Sequence, residues 1–146
     1  MSTKLYYEQD YLDEKYIEFN TPRIKTVEEW ILILNKELLE NRKGFDIINT
    51  VFAKIYYSPN RTVFCSELEK ELGIKGLNLR LGEFGKRIRK YNIVQFDEQI
   101  SPKTNADRKW NIPFYTNEKL NNMTGKFSWV LRDELAEAME IMKIVK

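Results

Sequence analysis

Between Leu77 and Tyr91 the chain reads LNLRLGEFGKRIRKY, with Leu77, Leu81, Phe84, Ile88 and Tyr91 at alternating steps of four and three residues. That period places them along one side of an α-helix, so the segment has to lay this side on a body built by the rest of the chain. The opposite side is basic: Arg80 stands early, Lys86, Arg87, Arg89 and Lys90 crowd the last turns, and Glu83 is the one acid in the sequence between them. Just upstream, Ser66 and Glu69 have the spacing of a capping box, Leu68 and Leu72 mark the inner side of a brief helix, and Gly73 stops it. Two helices parted by Gly73 to Gly76 have helix-turn-helix spacing.

The rest of the chain predicts what these helices pack on. Thr26 and Glu29 form a capping box that opens a helix with Val27, Trp30, Ile31, Leu34 and Leu38 inward, and Asn41-Arg42-Lys43-Gly44 stops it. A second helix is expected from near Asp46, with Ile47, Ile48, Val51, Phe52 and Ile55 inward, ending before Ser58-Pro59-Asn60. Short β-prone runs cover Arg61 to Phe64, Ile93 to Phe96, Arg108 to Phe114 and Phe127 to Leu131. The polar loop from Gln99 to Asp107 reads as a wing between two strands, and a last helix runs from Asp133, as its cap, to about Val145. Trp110, Phe114 and Trp129 alternate along strands and are assigned to the core. The expected fold class is therefore α+β: a winged-helix core, helix-turn-helix with a β wing, carrying extra N-terminal helices and a C-terminal helix. Residues 1–25, rich in tyrosine and acids and without a clean period, form an N-terminal arm, and 26–146 form a single winged-helix-like domain.

Composition removes most chemistry. At 146 residues the chain is the size of one domain, and with 42% hydrophobic residues it can bury a core. No apolar run approaches the roughly 20 residues that cross a bilayer, and MSTKLYYEQD has no signal-peptide core. One cysteine, Cys65, cannot form an internal disulfide, so a cytoplasmic protein without membrane association is expected. Without histidine there is no Ser-His-Asp or Cys-His arrangement, a zinc site lacks ligands, and no GxxxxGK[ST] loop is present. Acid pairs such as Glu28/Glu29 and Glu67/Glu69 fall at caps or polar helix faces. The expectation is a non-enzymatic protein with no catalytic residue, no metal and no small-molecule cofactor.

Charge points to a partner. Residues 75–92 carry net +5 and residues 103–110 net +2, which leaves −5 for the remainder of a chain whose total is +2. A basic stripe on a mildly acidic body suits one docking face for an anionic polymer, and double-stranded DNA is the expected partner. On this reading Asn78 and Arg80, near the helix start, face base edges. Lys86, Arg87, Arg89 and Lys90, with Lys103, Arg108 and Lys109 around the wing, hold phosphates. The alternative is a protein-interaction module, an adaptor, regulator or inhibitor, in which the tyrosine-rich arm supplies the contact.

Three stretches also carry a resemblance: CSELEKELG (Cys65 to Gly73), LGEFGKRIRK (Leu81 to Lys90), and the pair KWNIPF (Lys109 to Phe114) with FSWVLRDELAEAME (Phe127 to Glu140). Over residues 61–142 or so, the order of pieces resembles an accessory module attached to modified-cytosine restriction proteins of the Mcr B-subunit type. Trp129, Leu131, Arg132, Glu134 and Leu135 match its most specific part, a tryptophan strand leading through Leu-Arg into a Glu-Leu helix. The resemblance implies a winged-helix-like accessory domain in a prokaryotic or phage DNA-defence or restriction system, without the motor or nuclease parts.

Overall fold

The computed structural model describes residues 21–97 and 107–146, which form a mixed α+β fold. Helix α1 (Val27–Glu40) starts where Thr26 Oγ1 accepts from the Glu29 amide at 3.1 Å and Glu29 Oε1 accepts from the Thr26 amide at 3.2 Å. Its inner side is Trp30, Ile33, Leu34 and a buried acid, Glu37, and it packs along the last helix. Asn41 ends α1 and caps α2 (Arg42–Asp46), its Oδ1 accepting from the Gly44 amide at 3.1 Å. The stop expected at Asn41 to Gly44 is thus also a start, because one asparagine side chain supplies the acceptor that the next helix lacks. A wide π turn (Ile47–Phe52) and α3 (Ala53–Tyr57) continue the run, burying Ile47, Ile48, Val51, Phe52 and Ile55.

Strand β1 (Thr62–Phe64) leads directly into α4 (Cys65–Leu72). The expected Ser66–Glu69 box does not form: the helix begins one residue before Ser66, and the Glu69 carboxylate instead accepts from the Leu77 amide at 3.0 Å. Glu69 thereby ties α4 to the start of α5 (Leu77–Tyr91), whose bounds are those its period predicts. Gly73 (φ 65°) and Gly76 (φ 74°) make the turn in left-handed backbone that a side chain would strain.

After α5 the strands are fewer than expected. Ile93 to Phe96 forms none, and a 3₁₀ turn (Lys109–Asn111) replaces most of the run that ends in β2 (Phe114–Tyr115). Most of the expected wing loop lies outside the described residues, and no strand stands on its Ile93–Phe96 side. Between β2 and β3 (Ser128–Leu131) lies α6 (Glu118–Thr124). Its Asn121 accepts from the Ser128 amide at 2.8 Å and donates to Thr116 Oγ1 at 2.7 Å, pinning the helix to β3 and to the residue that follows β2. The sheet is antiparallel in the order β1-β3-β2, with Val63 opposite Trp129 and Phe114 opposite Leu131. Helix α7 (Asp133–Ile141) is shorter than expected, and its N-cap position is Arg132, which places Asp133 in the first turn.

Aromatic rings join the layers: Trp30 stacks with Phe84, Phe52 meets both Phe84 and Phe114 edge-on, and Phe114 stacks on Trp129. Phe114 and Trp129 are buried as expected, and Trp110 is half-buried against Phe127. The packed body extends back to the buried Arg23 and Ile24; residues 1–20 of the expected arm lie outside the described residues.

Candidate nucleic-acid interface

Helix α5 buries Leu77, Leu81, Phe84, Gly85 and Ile88, so its basic residues divide among the remaining directions. One of these is covered. The 3₁₀ turn at Lys109–Asn111 lies on α5, and a Cβ added to Gly85 would stand 2.8 Å from Lys109 Cγ. The aliphatic stem of Lys109 therefore occupies the space that glycine leaves open.

Two arginines expected on the outer face turn inward. Arg87 forms a fork with Glu37: Nε donates to Oε2 at 2.9 Å and Nη2 to Oε1 at 2.8 Å. Glu37 is wholly buried and also accepts from the Tyr91 hydroxyl. Burial, followed by this hydrogen bond to Glu37, pushes the Tyr91 phenol up to about 12. Helix α2 passes so close that a Cβ on Gly44 would lie 2.6 Å from Glu37 Cδ. Arg89 donates to the Phe96 carbonyl at 3.1 Å, covers the Phe96 ring at 4.1 Å and pairs with Asp107 at 3.6 Å. Arg23 completes this second cluster, bonding Asp107 at 2.6 Å and the carbonyls of Asp97 and Arg108 at 2.9 Å each. Arg108 itself is buried. The expected phosphate role of Arg87, Arg89 and Arg108 does not survive this arrangement: the Arg87 fork is matched by the Glu37 carboxylate, half-buried Arg89 is held by the Phe96 carbonyl and Asp107, and Arg108 is buried.

Asn78, Arg80, Lys86 and Lys90 are exposed as expected, with no ion pair among the described residues. Lys103 lies outside the described residues. The single positive face expected to join Lys86, Arg87, Arg89, Lys103 and Lys109 is not assembled by the described residues. A different one is. A depression of about 310 Å³ runs between α2 and the start of α5, lined by Lys43, Lys75, Leu79, Arg80, Glu83 and Arg87. A shallower one adjoins it through Lys43, Glu83 and Arg87 and adds Asn41, Arg42, Lys86 and Glu40, the last paired with Lys36 at 2.8 Å. Lys43 lies 4.0 Å from Glu83, and Arg87 is already neutralised by Glu37, which leaves Arg42, Lys75, Arg80 and Lys86 turned to solvent around the two.

Arg42 and Lys43 were hidden by their position in an apparent helix stop. Glu37 had a signal, an acid at the inward step after Trp30, Ile33 and Leu34. The Cys65 thiol is raised to about 12, chiefly by burial, which suits a packing role.

Comparison of the chain with protein families, curated proteins and solved structures finds no match. Among the described residues there is no cluster suited to a metal ion, and no helix is long and apolar enough to cross a membrane.

Proposed function

We propose that this chain is a non-enzymatic module that binds double-stranded DNA, built as a winged helix and presenting α5 to the duplex. What carries the reading is the row of solvent-facing cations, Arg42, Lys75, Arg80 and Lys86, around the start and outer side of α5. The topology supports it: an antiparallel β1-β3-β2 sheet with a glycine-turned helix pair inserted after β1 is the order a winged helix requires. In that scheme the β2–β3 connection, filled here by α6, stands in the place of the wing. Asn78 and Arg80 at the helix start face base edges, while Arg42, Lys75, Lys86 and Lys90 hold phosphates. A role in a prokaryotic or phage restriction-related system rests on the resemblance of the three sequence stretches.

Titration of a labelled duplex over a salt series tests the proposal. Neutralising about four phosphates gives a log-log slope near −3.6, shallower than for a stripe that also used Arg87 and Arg89. A duplex left unbound at low salt defeats it.

A second reading, a protein-interaction module, is favoured by Leu32, Leu39 and Phe45, which are all exposed; Leu39 and Phe45 line one shallow depression. A protein partner that stays on Arg80→Glu/Lys86→Glu but leaves Leu39→Ser/Phe45→Ser would establish it in place of DNA.

A further inference from the structure

Four of the five leucine, isoleucine and phenylalanine side chains on α5, Leu77, Leu81, Phe84 and Ile88, are at most 1% exposed, whereas Leu79 is 71% exposed. Leu79 does not extend an apolar patch. It lines the depression between α2 and α5 beside Lys43, Lys75 and Arg80, with the buried Ile47 behind it. Isolated surface leucines are common, but this one stands among the charges that would meet phosphates and between the two residues, Asn78 and Arg80, placed for base edges. Helical spacing puts Leu79, Glu83, Lys86 and Lys90 in one outward stripe, so a duplex gripped by the lysines meets Leu79 directly. Among the groups that base pairs present in the major groove, the apolar one is the C5 methyl of thymine.

We infer that Leu79 is a specificity-determining residue that packs on a thymine C5 methyl, so that the module favours a site with thymine at that position. This rests on the DNA-binding reading above and deepens it. The lysines fix depth and register, and Leu79 excludes water from one methyl group that would otherwise remain solvated.

The test compares duplexes that differ in methyl groups alone. The best binder selected from a random-sequence pool is prepared once with thymidine and once with deoxyuridine, and both are titrated at the same salt. The intact chain is expected to bind the deoxyuridine duplex about fourfold more weakly, the effect of one buried methyl-sized group. Leu79→Ala, an exposed substitution with good helix propensity, is expected to bind both duplexes equally. Lys86→Glu is expected to weaken both by the same factor and keep the fourfold ratio. Equal binding of the two duplexes by the intact chain overturns the role of Leu79 and leaves DNA binding standing. Failure to bind any duplex in the pool at low salt overturns both.

Discussion

Lys86 and Arg87 are neighbours on α5 and serve different parts of the molecule. Arg87 reaches into the body to the Glu37 carboxylate, which also accepts from the Tyr91 hydroxyl; Lys86 stays on the rim with Arg42, Lys75 and Arg80. Arg89 repeats the inward pattern at the end of the helix, where Asp107, Phe96 and Arg23 surround it. In the last turns of α5 the residue type follows the task, with Arg87 and Arg89 turned inward and Lys86 and Lys90 exposed. A guanidinium is weakly hydrated and makes two parallel bonds, so it tolerates burial against a carboxylate, whereas an ammonium keeps its water. A density of cations on one helix is therefore two populations, one that holds the fold and one that faces solvent, and only the second can release counterions from DNA.

The sharpest separation comes from the inner population. Glu37→Ala leaves Arg87 without its carboxylate in a site where its side chain is 15% exposed, and is expected to cost about 3 to 5 kcal/mol in urea unfolding. A loss below about 1 kcal/mol would mean that the fork is dispensable. Next in size is Gly44→Ala, whose added methyl meets the buried Glu37 side chain and should cost about 1 to 3 kcal/mol in the same assay.

A smaller effect is expected from pH. The Tyr91 phenol ionises near 10 in the unfolded chain and near 12 in the folded one, since burial and the bond to Glu37 favour the protonated form. Its contribution is therefore complete below pH 10 and is lost as pH rises from 10 to 12. Stability of the intact chain should fall across that window more steeply than that of Tyr91→Phe. Parallel curves would remove Tyr91 from the inner cluster. Smallest of all, Arg80→Glu with Lys86→Glu should leave unfolding within about 0.5 kcal/mol of the intact chain, as expected for exposed positions.

These contrasts bear on what could be read from residue order. Local signals were legible: the Thr26–Glu29 box, the stop at Gly73 and both ends of α5 depend on residues a few positions apart. The β1 and β3 strands and the outward set of Asn78, Arg80, Lys86 and Lys90 were legible for the same reason. Partnerships across the chain were not. Arg87 and Glu37 are fifty positions apart, and Arg23 and Asp107 eighty-four, so no periodicity could distinguish an inward arginine from an outward lysine. Glu69 shows the same limit at short range, since its spacing from Ser66 satisfied a capping pattern while its carboxylate served the next helix. Strand β2 spans two residues, too few for an alternation to register, which is why the run from Arg108 was expected to be longer.

The division of cations is tested most directly by duplex affinity in paired variants at one low salt concentration. Arg80→Glu/Lys86→Glu is predicted to abolish binding while the domain stays folded, and Arg89→Lys, which keeps a cation inside, is predicted to bind as the intact chain does. Unchanged affinity in the double reversal, with binding lost in Arg89→Lys that is still folded, would contradict the assignment of the outer rim to DNA.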